Sequence, residues 1–174
     1  MKRLTFAQSR AWRFKNHYQQ GRRGRTTEAS NVLYISAVGK AINSILLSSY
    51  LVVSERKISC ISQVDSGCTG LAFMDFKFTV RNNIPLSRLV KKRPLYLADG
   101  VLSSWIEWGA ELRFGIGAHQ ERLQFYITSL APENPVILGL PWLSRHDPAI
   151  DWKNLRLTFW EHYHGKCLPL QARA

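Results

Sequence analysis

The stretch "SQVDSGCTGLAFMD", residues 62–75, contains the tripeptide Asp65-Ser66-Gly67. It directly follows "ISCISQV", residues 58–64, whose alternating pattern is typical of a β-strand because every second side chain lies on the same face of a sheet. A carboxylate at the end of a strand, beside a small hydroxyl and a glycine, occurs both in ordinary turns and in catalytic sites. The rest of the chain distinguishes these two interpretations.

Short strand-like runs separated by turns extend in both directions from this tripeptide. The segment "RPLYLADGVLSSWIEW", residues 93–108, places an Asp-Gly pair between two apolar arms, which is a strong signal for a β-hairpin. Two short helices are predicted, one within residues 74–82 and one at 140–146, where Pro141 suits the first helical turn. The other strand-like runs are "ILLSSYLVV" (45–53), "ELRFGI" (111–116), "ERLQFYITSL" (121–130), "NPVILG" (134–139) and "LRLTF" (155–159). This pattern predicts a mainly β barrel or sandwich.

The composition predicts one folded domain with a charged tail. The 174 residues, 45% of them hydrophobic, suffice for a single core, and the formal net charge is +12. Residues 1–40 contain nine Lys and Arg and a single acidic residue, Glu28. Because these residues show no sustained helical or strand period, we predict that residues 1–44 form a basic, flexible tail.

The expected location follows from the apolar runs and the cysteines. No run approaches the ~18 apolar residues of a membrane span, so we expect a soluble protein without a membrane partner. The three cysteines, without a Cys-x-x-Cys spacing, indicate neither a disulfide framework nor a zinc knuckle, and they favour a reducing compartment. We therefore expect a cytoplasmic location. A nuclear location stays open, as does mitochondrial targeting, because residues 1–15 are rich in Arg and free of acidic residues.

Three segments, taken together, carry a resemblance to a known family. They are "DSGCTGLAFMD" (65–75), "LYLADGVLSSWIEWG" (95–109) and "PVILGLPWLSRHDPAIDWKNLRLTF" (135–159). In this order they resemble the active-site segment, the flap hairpin and the final part of the retropepsin-like aspartic protease domain in Gag-Pol polyproteins of gypsy-type long-terminal-repeat retrotransposons. The resemblance covers residues 45–160, which we predict to be the protease domain, followed by a C-terminal extension at 161–174.

The resemblance implies a closed acid-protease barrel, one lobe per chain, with a flap hairpin and two short helices. It implies that Asp65 is the catalytic carboxylate, that the Ser66 hydroxyl bonds the backbone across the site, and that Gly67 offers its N–H to the carboxylate. The predicted substrate-binding residues of the flap are Ala98, Asp99, Gly100 and Val101, and the predicted supports of the active site are Ile137, Leu138 and Gly139.

The number of aspartates determines the predicted assembly. In this family two carboxylates share a proton and activate a water without a covalent intermediate. Of the five aspartates, only Asp65 is followed by Ser or Thr and then Gly. The second carboxylate must therefore come from a second copy across a two-fold axis. We predict an aspartic endopeptidase that acts as a homodimer on extended polyprotein segments, without a cofactor or a metal ion.

Two other candidates concern the ends of the chain. The basic and aromatic residues within 1–40 suit contacts with nucleic acid. The alternative function is therefore a catalytically silent β domain of retroelement origin that binds protein or nucleic acid through this tail. His162, His164 and Cys167 have a spacing that could bind zinc, but three ligands in a terminal segment without a fourth indicate no metal site.

Overall fold

The structure, a computed structural model, describes residues 32–35, 44–163 and 166–171. These ranges contain eleven strands and two helices, numbered in chain order. The strands are β1 (Leu33–Ile35), β2 (Leu46–Val53), β3 (Arg56–Asp65), β4 (Ala72–Asp75), β5 (Ser87–Leu97), β6 (Leu102–Ile116), β7 (His119–Thr128), β8 (Val136–Gly139), β9 (Ala149–Asp151), β10 (Arg156–Tyr163) and β11 (Lys166–Gln171). The helices are α1 (Phe76–Arg81) and α2 (Leu140–His146).

Six of the described strands form a closed barrel. The hydrogen-bonded order is β1-β5-β6-β2-β3-β8-β4-β7, and β7 also pairs with β6, so the six strands from β6 to β7 close on themselves. The barrel core is apolar, since Leu51, Phe114 and Leu138 have no exposed surface. The predicted mainly β barrel with two short helices is confirmed. Neither of the helices in the described ranges has the length and apolar character needed to cross a membrane.

The longest described strand belongs to two parts of the fold. β6 runs for 15 residues, and its first half pairs with β5 as one arm of a hairpin, whereas its second half pairs with β2 and β7 in the barrel. Gly109 marks the change, because it is paired both with Ser87 of β5 and with Tyr126 of β7. The hairpin predicted at residues 95–109 is therefore a continuation of a barrel strand.

The first described strand lies inside the segment that was predicted to be a tail. Leu33–Ile35 pairs in parallel with Leu95–Leu97 of β5, and its first and third side chains are buried, with 3% and 2% exposed. These residues belong to the sheet because an alternating apolar segment can add to an otherwise open strand edge. The remaining residues of the predicted tail, 1–31 and 36–43, lie outside the described ranges, so the rest of the domain division stays a prediction.

Asp75 connects α1 to the barrel. It is 2% exposed and precedes the helix, where its Oδ1 accepts a hydrogen bond from the Phe78 N–H at 2.7 Å as a helix cap. Its Oδ2 accepts a hydrogen bond from the Leu130 N–H at 3.0 Å, in the segment after β7. This buried carboxylate therefore has a structural role, with both oxygens bonded to backbone.

Replacing Asp75 with Ala is expected to lower the free energy of unfolding by about 2–4 kcal/mol, because it removes the helix cap and leaves the Leu130 N–H without its acceptor. Urea denaturation followed by circular dichroism measures this difference. Asp151→Ala is the matched control, since this carboxylate also accepts N–H bonds, from Lys153 and Asn154, but is exposed. Equal losses in the two variants would contradict the assigned role.

Candidate active site

The Asp65 loop combines a buried carboxylate with an exposed turn. Asp65 ends β3 and is 6% exposed, whereas Ser66 and Gly67 are exposed. The Gly67 N–H donates to Asp65 Oδ1 at 2.9 Å, and the Cys68 N–H donates to the Asp65 carbonyl oxygen at 3.1 Å. The chain therefore turns back at once, and a backbone N–H orients the carboxylate. The contact expected of Gly67 is present, while the bond expected of the Ser66 hydroxyl stays a prediction.

A second segment supports this loop from the side. β8 pairs in parallel with β3, so that Gly139 lies opposite Asp65. The Gly139 N–H donates to the Leu71 carbonyl oxygen at 3.1 Å, and the Leu140 N–H donates to the Cys68 carbonyl oxygen at 2.9 Å. The structure thus brings all three predicted supports, Ile137, Leu138 and Gly139, next to the strand and loop that carry the carboxylate.

The approach of Gly139 to this loop leaves no room for a side chain. A Cβ added to Gly139 would overlap the carbonyl oxygen of Gly70 and lie 2.9 Å from Cys68 Sγ. Rotation of a side chain cannot relieve the overlap, because the obstructing atom belongs to the backbone. Only glycine therefore fits at position 139, which explains on steric grounds why Gly follows Leu in the "VILG" segment.

Cys68 fills the space behind the loop. It has no exposed surface, and its Sγ donates to the carbonyl oxygen of Gly70 at 3.6 Å. Burial raises the pKa of its thiol to about 12; the hydrogen bond to Gly70 reduces this effect, and the Asp65 carboxylate reinforces it. At neutral pH the side chain is therefore a buried thiol rather than a reactive thiolate.

In the native protein, Cys60 and Cys68 are expected to resist alkylation by iodoacetamide at mildly alkaline pH. Burial raises the pKa of Cys60 to about 11 and that of Cys68 to about 12, and only the thiolate reacts. Peptide mass spectrometry measures the modified fraction, with urea-unfolded protein as the control in which both cysteines react. Rapid modification of native Cys68 would show that the loop does not bury it.

The hairpin tip contains the four predicted flap residues. Ala98, Asp99, Gly100 and Val101 join β5 to β6, and all four are exposed. The Leu97 N–H donates to the Val101 carbonyl oxygen at 3.0 Å, and the Val101 N–H donates to Asp99 Oδ1 at 2.9 Å. Gly100 has φ +82°, a left-handed conformation that favours glycine. The predicted hairpin is confirmed, and its function as a flap stays a prediction.

β1 joins an arm of this hairpin to the Asp65 loop. The Tyr34 N–H donates to Thr69 Oγ1 at 2.8 Å, and the Thr69 N–H donates back to the Tyr34 carbonyl oxygen at 3.0 Å. On its other side β1 pairs with β5, where the Tyr34 and Tyr96 rings stack with centroids 5.5 Å apart. An extended segment of this chain therefore lies between the hairpin arm and the loop that carries Asp65.

A separate cluster of titratable side chains, which the sequence analysis missed, joins β7 to α2. Glu121 Oε1 lies 3.1 Å from His146 Nε2 and 3.4 Å from His119 Nε2, and it accepts a hydrogen bond from Trp142 Nε1–H at 2.7 Å. The other ring nitrogen of His146, Nδ1, donates to the Trp142 carbonyl oxygen at 2.8 Å. Two local signals exist for this cluster: the spacing of His119 and Glu121 puts both on one face of a strand, and that of Trp142 and His146 puts both on one face of a helix.

Within the described part of the chain, His119, Glu121 and His146 are the one group whose ligand atoms, all within 4.8 Å of one another, could hold a metal ion. Burial alone would raise the pKa of Glu121, but hydrogen bonds from both histidines and Trp142 hold it well below its usual 4.5. Burial would lower the pKa of His146, but its bonds to Glu121 and to the Trp142 carbonyl raise it above 6.5. These contacts form a charge-assisted network that fixes α2 to the barrel.

Glu121→Gln is expected to lower the free energy of unfolding by about 2 kcal/mol at mildly acidic pH, because the His146 imidazolium loses its counterion. The contribution of Glu121 is present above pH 4.5 and is lost as the pH falls through its depressed pKa. The contribution of His146 to the free energy of unfolding is complete below pH 6.5 and is lost as the pH rises through its raised pKa. Arg145 Nη1 lies 4.0 Å from Glu121 Oε2, at the edge of the same cluster.

The effect of Glu121→Gln should therefore be greatest between pH 4.5 and 6.5 and decline above the raised pKa of His146. Urea denaturation of both proteins across this range measures it. Glu111→Gln is the matched control, because Glu111 pairs with Arg122 at the exposed surface and should contribute about 0.5 kcal/mol or less. A loss for Glu121→Gln that does not vary with pH would contradict the assigned charges.

The closed barrel and the Asp-Ser-Gly loop braced by a Leu-Gly segment define a retropepsin-like protease domain. Residues 62–167 match the family model described as the PEG10/RTL1 protease domain. Because this match spans more than half of the chain, the chain belongs to that family, a retropepsin-like domain from a gypsy retrotransposon Gag-Pol polyprotein. The resemblance stated from the sequence is confirmed.

Two solved structures are similar to this chain. The retroviral protease-like domain of Ddi1 from Leishmania major is 21% identical, with 72% of this chain and 94% of that chain covered and a TM-score of 0.44. A protein of unknown function from Legionella pneumophila is 13% identical, with 65% and 94% covered and a TM-score of 0.38. The family assignment rests on the match of residues 62–167 to the family model.

Proposed function

We propose that the protein is an aspartic endopeptidase whose active site forms between the Asp65 carboxylates of two copies. The observation that carries the proposal is the Asp65 loop, in which the Gly67 N–H orients a buried carboxylate beside an exposed turn. A second copy can approach such a turn without rearrangement of the barrel. Membership in a retropepsin-like protease family supports the same chemistry.

The proposed reaction uses two Asp65 side chains with different protonation. Two carboxylates a few ångströms apart share one proton, because like charges at that distance repel each other. The ionised Asp65 takes a proton from a water between them, and the water oxygen attacks the scissile carbonyl carbon while the protonated Asp65 donates to the carbonyl oxygen. The Asp65 that took the proton of the water then gives it to the peptide nitrogen, the C–N bond breaks, and a hydroxyl proton returns to the other Asp65, without a covalent intermediate.

The hairpin offers a surface for an extended polypeptide substrate. The edge of β5 at Leu95–Leu97 accepts a parallel extended segment directly before the tip at residues 98–101. Backbone pairing of this kind binds extended peptides generally, and pockets for alternate side chains add selectivity. This arrangement supports polyprotein segments as substrates and the tip residues as the part that closes over them.

The free thiols bear on the proposed location. Cys60 and Cys68 are buried and form no disulfide, which supports a reducing compartment. A cytoplasmic location is therefore proposed, and a nuclear location and mitochondrial targeting stay as alternatives. The alternative function, binding of protein or nucleic acid through the basic tail, falls on residues outside the described ranges and stays a prediction.

The shared active site is tested by the dependence of cleavage on dimer formation. The full chain is incubated with an unstructured substrate protein at mildly acidic and neutral pH, at concentrations that span monomer and dimer as measured by sedimentation. We expect cleavage per chain to rise with the dimer fraction and to stop with a statine-type transition-state inhibitor. Cleavage by a pure monomer would overturn the shared site, and a confirmed dimer without cleavage would overturn the activity.

A further inference from the structure

β1 lies between an arm of the hairpin and the loop that carries Asp65. One of its edges pairs with β5 directly before the tip, and the other is bonded to Thr69, four residues after Asp65. We propose that β1 is a built-in occupant of the substrate cleft, so that the chain's own residues Leu33–Ile35 compete with polypeptide substrates. The inference rests on the proposed function, because it identifies what the cleft contains before a substrate binds.

The contacts that hold β1 are mostly contacts that any extended peptide can make. Thr69 makes two hydrogen bonds to the backbone of one residue, Tyr34. Its N–H donates to the Tyr34 carbonyl oxygen, and its hydroxyl oxygen accepts from the Tyr34 N–H. The pairing with Leu95–Leu97 is likewise between backbones. Since neither set of bonds depends on the side chain of the bound residue, a substrate strand can replace β1 without loss of hydrogen bonds.

The direction of β1 agrees with this role. It is parallel to β5, which runs toward the hairpin tip at residues 98–101, so β1 also runs toward the tip. Three extended residues span roughly 10 Å. The C-terminal end of β1 therefore points toward the same end of β5 as the hairpin tip.

The side chains of β1 bury it on one face only. Leu33 and Ile35 belong to a small apolar cluster with Cys68, Leu95 and Ile106, whereas Tyr34 is 41% exposed. A strand of three residues with two buried side chains is a small contact, and small contacts open at low cost. Displacement of β1 therefore does not require the barrel to unfold.

A cavity lies beside Ile35, between the hairpin arms and the segment after β7. Its volume is about 230 Å³, and its lining includes Ile35, Leu97 and Ser104. Ser104 Oγ is the buried side-chain polar atom without a hydrogen-bond partner among the described residues. A substrate with a longer, polar side chain at the position of Ile35 would fill this space and bond the hydroxyl, so it would bind in preference to β1.

The test uses two full-length variants that release β1. Leu33→Asp places a carboxylate among apolar side chains, which expels the strand. Leu33→Ala/Ile35→Ala weakens the same contact with less risk to folding. Val90→Asp is the control, because Val90 lies on β5 but is fully exposed (101%). Circular dichroism and the amide exchange of the barrel strands establish that each variant is folded.

The first measurement is hydrogen exchange at the Thr69 amide, which is independent of any cleavage. Its exchange is expected to be at least about tenfold faster in both release variants than in the parent and in Val90→Asp. The second is fluorescence anisotropy with a labelled peptide of residues 31–36. Its affinity should be at least about tenfold higher for the release variants, because the intact chain must first displace β1. The third is the rate of substrate cleavage, which should rise in the same variants.

These measurements separate the occupancy of the cleft from the chemistry. Slow Thr69 exchange and unchanged peptide affinity in folded release variants would overturn the role of β1, whether or not the protein cleaves substrates. Faster exchange and tighter peptide binding without cleavage in any variant would support the role of β1 while the proposed endopeptidase fails. Increases in all three measurements are the expected result.

Discussion

Asp65→Asn is expected to lower kcat/KM for peptide cleavage by at least about 10³-fold, with little change in the stability of the barrel. The amide has nearly the same size as the carboxylate, and its oxygen can still accept the Gly67 N–H, so the loop keeps its geometry. It cannot, however, take a proton from a water. Steady-state cleavage of a fluorogenic peptide measures the activity, and urea denaturation measures the stability.

Two controls make this result specific to a shared site. Asp151→Asn changes an exposed aspartate at the end of β9 and should leave cleavage unaltered. An excess of the Asp65→Asn chain mixed with the parent should suppress the parent's activity, because a mixed dimer contains a single ionisable Asp65 carboxylate. Cleavage by the variant at a rate comparable to that of the parent would exclude Asp65 as the catalytic group. Insensitivity of the parent to excess variant would exclude the two-copy site.

Gly139→Ala is expected to lower the free energy of unfolding by about 3–5 kcal/mol, which would leave a domain of this size largely unfolded. The added Cβ overlaps the Gly70 carbonyl oxygen and approaches Cys68 Sγ, so β8 and the Asp65 loop would have to separate. The bonds of Gly139 to Leu71 and of Leu140 to Cys68 would then be lost as well. Urea denaturation and the yield of folded protein measure the effect.

Gly117→Ala distinguishes this steric effect from the general cost of replacing a glycine. Gly117 has φ +58°, and a Cβ there meets no atom within 4 Å, so the substitution costs only the left-handed conformation, about 1–2 kcal/mol. Gly139→Ala should therefore be clearly the more destabilising of the two. Similar losses would mean that the contact with Gly70 relaxes easily.

Local patterns were sufficient to predict most of the barrel and the position of the candidate site. The alternation before Asp65, the Asp-Gly pair of the hairpin and the Pro at the start of α2 each indicate their element within a few residues. The Asp-Ser-Gly tripeptide and the "VILG" segment are far apart in the sequence, and the resemblance to a family connected them. Parallel pairing of β3 with β8 then accounts for their contact.

The features that were missed depend on contacts between distant segments. β1 is only three residues long, and its partners on β5 and at Thr69 lie more than 30 residues away, so no local pattern distinguishes it from a tail. The cluster of Glu121 with His146 joins a strand to a helix in the same way. Gln63, a buried polar residue two positions before Asp65, likewise bonds distant segments, with Asn134 and Ser44 both at 3.4 Å.

Because β6 is one continuous strand, the hairpin is mechanically coupled to the wall of the barrel. Fifteen extended residues span about 50 Å, and no loop interrupts them between the tip and the seam with β7. Motion of the tip relative to the barrel must therefore bend β6. We expect the bend at Gly109, because glycine has no side chain to stiffen the strand. A peptide that pushes against the tip would in this way also strain the pairing of β6 with β7, which closes the barrel.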